Sequence, residues 1–175
     1  MVTLRFLRFI VRWCDLINDK IGHGVSWLVL AMVLITIWDV ALRYLFKAGS
    51  VMVQELEWHF FGINFLIAAG FTLKNNGHVR VDIFYDKIDQ KKKAFVDLVG
   101  NLLFLIPYCL MVIWMSYPFV ANSWSLRECS PDPGGLPARY VIKAVLPSGF
   151  FLLLIQGISE AIKNFFVLWG GEEKT

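Results

Sequence analysis

The sequence predicts an all-α membrane protein: four transmembrane helices plus a short N-terminal amphipathic interfacial helix. Three observations carry this reading. Of the 175 residues, 57% are hydrophobic and 18% charged, where an average soluble domain is nearer half apolar and about a quarter charged. The apolar residues gather in four blocks, each close to the roughly 20 residues that a helix needs to cross a bilayer. Trp 7 and Phe 15 add aromatic side chains of the kind that collect at membrane interfaces.

The elements follow in order, all within a single transmembrane domain over residues 1–175. In residues 3–20, Arg5, Arg8, Arg12, Asp15 and Asp19 recur at three- and four-residue intervals. Leu4, Leu7, Ile10, Val11, Cys14 and Ile17 take the other face, the pattern of a helix lying in the interface. The same charges interrupt any apolar core of a leader, so no cleavable signal peptide is expected. The first span is predicted over 24–46 and the second over 53–73, joined by a tight link that makes them antiparallel neighbours. A basic connection over 74–93 follows, with a short surface helix predicted from Val81 to Ile88. The third span covers 94–120, where Pro107 should kink the helix. An outer loop over 121–144 carries SPDPGGLP, which forbids a helix and favours turns. The fourth span covers 145–169.

Orientation follows from the Lys and Arg count in the connections. With the N-terminus inside, twelve of the 17 lie on the inner side and five on the outer. Both termini are therefore predicted to be cytoplasmic. Basic residues set between apolar blocks read as topology signals toward lipid, and a nucleic-acid partner is not expected.

An ionisable group inside a membrane suggests a role by default. Asp39 and Arg43 are four apart on the first span and either neutralise each other or point at another helix. Glu55 and Glu57 open the second span at about the depth of Arg43, so an Arg43 pair with Glu57 or Glu55 is expected. Asn64 shares a face with Glu57, and Gly62 and Gly70 would let a neighbour approach closely. Asp97 with Asn101, and Gln156 with Glu160 beside Ser159, form polar faces toward the inner ends of the third and fourth spans. These residues are candidates for inter-helix or subunit contacts.

Catalysis finds little support. Glu55 and Glu57 are two residues apart and project from different faces, a poor acid/base dyad. There is no HExxH, GxSxG or P-loop pattern. A haem would need paired histidines; His59 is near the outer face, and His78, the only match for His23, sits in the polar turn KNNGHVR. Cys14, Cys109 and Cys129 show no CxxC spacing and fall at different depths, so neither a metal site nor a disulfide is expected. No catalytic residue and no cofactor are assigned.

Several short runs, taken in order, resemble a known family. Arg43-Tyr44 closes the first span and Glu55-Leu56-Glu57-Trp58 opens the second. Ala68-Ala69-Gly70-Phe71-Thr72 and then His78-Val79-Arg80-Val81-Asp82 follow. With four spans and cytoplasmic ends, the chain resembles the small permease (Q) subunit of tripartite ATP-independent periplasmic (TRAP) transporters, from about Gly22 to Lys163. The resemblance implies a scaffold subunit, Trp58 included in its interface, in a bacterial inner membrane. It packs beside a large permease subunit that carries an organic acid with sodium, and a periplasmic binding protein delivers the substrate. The extended SPDPGGLPARY segment departs from the simplest family pattern. Whether that segment meets the binding protein, the large subunit or both stays open; in the outer loop over 121–144, Arg127, Glu128, Asp132 and Arg139 are candidates for docking the binding protein. The competing class is a small stand-alone transporter or channel, though no broken helices or internal repeats of the kind that build midplane sites are evident.

Overall fold

The computed structural model describes residues 2–77 and 88–170. They form four helices: α1 (Val2–Phe46), α2 (Val51–Lys74), α3 (Gln90–Ser125) and α4 (Arg139–Gly170), with no strand among the described residues. All four are long and apolar enough to cross a membrane. The short helix predicted from Val81 to Ile88 lies, but for Ile88, outside the described residues.

α1 corrects one expectation. The N-terminal segment is helical, but it is not a separate short element; it continues without a break into the first span. At about 1.5 Å per residue the 45-residue helix is roughly 67 Å long, about twice the ~30 Å of hydrocarbon in a bilayer. The residues from Ile21 to Trp38 contain no Asp, Glu, Lys or Arg, so they are the part suited to lipid.

α3 answers its proline locally. Gln90–Gly100 and Ile106–Ser125 are α-helical, and between them Asn101–Leu105 forms a π-helical turn. Pro107 has no N–H to offer the carbonyl one turn back. The wider turn before it, closed by Ile106 N–H on Asn101 O, takes up the mismatch. The helix also runs past both predicted ends of its span. α4 likewise starts at Arg139, not near 145, so the loop shrinks to 126–138. Lys143 can sit on a helix because Glu128 accepts from its ammonium, which also lies 4.4 Å from the centre of the Phe119 ring.

α4 is the common partner. It packs on α1, α2 and α3; α1 and α2 also pack on each other, while α2 and α3 form no extended interface among the described residues. The α2–α4 contact is made close by glycine on each side. A Cβ at Gly70 would stand 3.0 Å from Leu152 O, and one at Gly149 would stand 2.6 Å from Leu66 O. Helices in lipid associate through such close approach of small residues. Gly62, also expected to allow it, meets only Ile142 at an ordinary 3.9 Å.

Burial is inverted relative to a water-soluble protein. Among the described residues six apolar side chains are buried and ten polar ones, including Asn18, Asp39, Gln156 and Asn164. Large apolar groups such as Trp27, Leu45 and Trp114 face outward. A polar interior under an apolar skin is stable only where the surroundings are themselves apolar, which fits a multi-pass membrane protein.

Candidate functional site

The polar groups gather at the two ends of the helices. The loop end carries the 47–50 link and the 126–138 loop; the tail end carries the start of α1, the end of α2 and the end of α4.

At the loop end, Glu55 on α2 holds the loop. Its carboxylate accepts from Ser130 Oγ through one oxygen and from the Leu136 N–H, at 2.5 Å, through the other. The loop folds back as a hairpin: Ser130 N–H reaches Leu136 O at 3.1 Å, and Arg139 N–H reaches Glu128 O at 2.8 Å. Gly134 supplies the left-handed turn with φ of 82°. A Cβ at Gly135 would press on Ser130 and come within 2.8 Å of Glu55 Oε2, so only glycine lets the carboxylate this close. Glu128 receives Lys143 and has Arg139 Nε at 4.0 Å. The hydrogen bond from Lys143, with the charge of Arg139 behind it, holds the Glu128 carboxyl below the usual range. Thus Glu128 and Arg139 are turned inward on each other, while Arg127 and Asp132 are exposed.

The expected pair of Arg43 with Glu57 or Glu55 is not formed. Arg43 donates to Asp39, four residues earlier on its own helix, and Asp39 is buried to 2% exposure. A neighbour one turn away needs no second helix to be positioned, and Glu55 is already committed to the loop. Glu57 keeps one buried oxygen with no hydrogen-bond partner among the described residues. Trp58 is exposed and lies against the His59 ring at 4.0 Å, and Asn64 is half-buried. His23 lies at the other end against Phe71, and its match His78 is outside the described residues.

At the tail end a charged network joins α1 to α4. Asp15 Oδ1 accepts from Gln156 Nε2 at 2.9 Å and Ser159 Oγ at 2.8 Å, and Oδ2 pairs with Lys163 Nζ at 2.7 Å. Lys163 also bonds Glu160 at 2.7 Å, and Gln156 reaches Glu160 at 3.3 Å. Asp19 pairs with Lys74 of α2 at 2.6 Å. Of this network the sequence reading singled out Gln156 and Glu160, with Ser159 beside them. It missed Asp15, which it assigned to an interfacial face, and Lys163. The usable signal was the repeat itself: 156, 159, 160 and 163 form one face at the same spacing as 15 and 19.

Asp97 and Asn101 of α3 come together with Glu160 and Asn164 of α4 in a groove of about 580 Å³ beside the π turn. Glu55, Asp15, Asp19, Lys163 and Glu128 each tie one element to another.

Residues 32–166 match the family model described as tripartite ATP-independent periplasmic transporters, DctQ component. A Haemophilus influenzae protein named as a TRAP transporter small permease is 24% identical over 153 residues, which is 86% of this chain and 89% of that protein. The match begins inside α1 and ends near the end of α4, so it takes in all four helices and the loop latch. On that coverage the chain belongs to the DctQ family, the small permease component of TRAP transporters.

Proposed function

We propose that the chain is the scaffold subunit of a sodium-coupled TRAP transporter for an organic acid. It sits in a bacterial inner membrane beside a large permease subunit and works with a periplasmic binding protein. The observation that carries this reading is where the buried and half-buried charges between elements go. Asp15, Lys163 and Glu160 fasten α1 to α4, Asp19 and Lys74 fasten α1 to α2, and Glu55 fastens the loop. Charges committed to internal fastening support a rigid frame and leave substrate and sodium to the large subunit. The test is reconstitution. Liposomes holding this chain alone should show no uptake, and uptake should appear when the large subunit and binding protein are added. Uptake by the lone chain would sink the scaffold reading in favour of a stand-alone transporter.

In this reading both termini are cytoplasmic and the loop end faces the periplasm, the side to which the binding protein has access. Arg127 and Asp132, exposed on the latched hairpin, form its contact surface on this subunit, with Glu128 and Arg139 holding the hairpin's shape. In a chain with Cys129, itself exposed in the loop, replaced by serine, cysteines placed at Lys47 and Pro133 should react with an impermeant reagent added to whole cells, and one at Lys92 should not. Reaction at Lys92 from outside reverses the assignment.

A further inference from the structure

We propose that the groove beside the π turn of α3 receives a transmembrane helix of the large permease subunit, one that carries a side-chain amide at the level of Asn164. This rests on the reading of the chain as a subunit beside such a permease and adds the face that meets it.

The groove exists because α2 and α3 form no extended interface among the described residues, so α4 forms the floor of the gap between them. Its walls are largely apolar, with Leu73 on one side and Phe104 and Leu105 on the other, beside Asn76, Asp97 and Asn101. Asn164 lies on the floor at 0% exposure, and neither its Oδ1 nor its Nδ2 has a hydrogen-bond partner among the described residues. An unmet donor and an unmet acceptor on one buried amide cost free energy that a single complementary amide would relieve, once Asn164 turns to meet it. A lipid phosphate answers half of that need, since it only accepts. The α3 wall is also shaped for a helix. Gly100 lines the groove, and a Cβ added there meets nothing within 4 Å, so another backbone has room to approach.

The experiment uses the assembled complex in native membranes. A photo-crosslinking phenylalanine analogue replaces Phe104 in the groove or, as comparison, the outward Trp27 of α1. Phe104 should give an adduct with the large permease. Gly100→Leu should lower co-purified permease roughly tenfold by filling the space, with the thermal stability of the chain alone unchanged. Asn164→Leu should weaken the complex roughly threefold to tenfold while leaving the chain alone as stable or more so, a sign that a merely internal role for Asn164 would reverse. If Phe104 yields only phospholipid or a second copy of the chain, while Trp27 captures the permease and Gly100→Leu assembles normally, the groove proposal is overturned and the scaffold reading stands. If the unmodified chain captures no permease from either position and does not co-purify with it, the scaffold reading itself fails, and the groove proposal with it.

Discussion

Replacing Glu55 by alanine is expected to free the 126–138 hairpin and weaken coupling to the binding protein. The substitution removes the acceptor for both Ser130 and the Leu136 N–H. Hydrogen bonds to an ionised carboxylate are among the stronger ones, and a backbone N–H left without its partner adds a desolvation cost. Trypsin should then cut at Arg127 or Arg139 roughly tenfold faster. Uptake should fall when binding protein is limiting and recover partly when it is in excess. Glu55→Gln should behave differently. Its amide oxygen can still accept from Leu136, and its NH2 can donate to Ser130, whose hydroxyl also accepts. Most of the latch should survive. If alanine and glutamine give the same cleavage rate as the native chain, Glu55 does not hold the loop.

Replacing Lys163 by methionine is expected to have the larger effect on stability. Asp15 and Glu160 share this one ammonium, and the Asp15 and Lys163 side chains are only 22% and 19% exposed. Removing it takes from both carboxylates the cation they share. We expect a loss of about 3 kcal/mol, the low end for a broken buried pair because some exposure remains. In detergent this should lower the midpoint of thermal unfolding by roughly 6–12 °C. Neutralising the partners as well, with Asp15→Asn and Glu160→Gln in the same chain, should recover a good part of the loss, since no unpaired charge then remains. A triple variant as unstable as the sum of its parts would show that the three residues do not act as one group.

Much of the fold was legible because the bilayer sets the length of an apolar block, and four such blocks were plain. The ends were less so. Arg139 and Lys143 read as loop residues because charge normally marks the edge of a span; their fit on the first turns of α4 depends on Glu128, which is distant in the helix pattern and near only once the hairpin forms. Asp15 looked like half of a solvated face. Helical periodicity gives the face on which a charge lies and is silent on whether water or Lys163 meets it. For Arg43 both readings were open, a pair with Asp39 on its own helix or one with Glu57 or Glu55 on the next, and the structure forms the pair that the helix itself brings into reach. Pro107 did signal a local departure, and the structure spreads it over the π turn of residues 101–105.

The packing order also has a consequence for how the chain is made. α4, the common partner of the other three helices, is the last to be synthesised. α1 and α2 can pair as soon as both are in the bilayer, but α3 then waits with no helix to lean on, carrying Asp97 and Asn101. Asp15 waits as well, since Gln156, Ser159 and Lys163 do not yet exist. Insertion of the final helix therefore gives Asp15 its partners and α3 its neighbour in one event, and it brings in Asn164, whose own amide is still unmet.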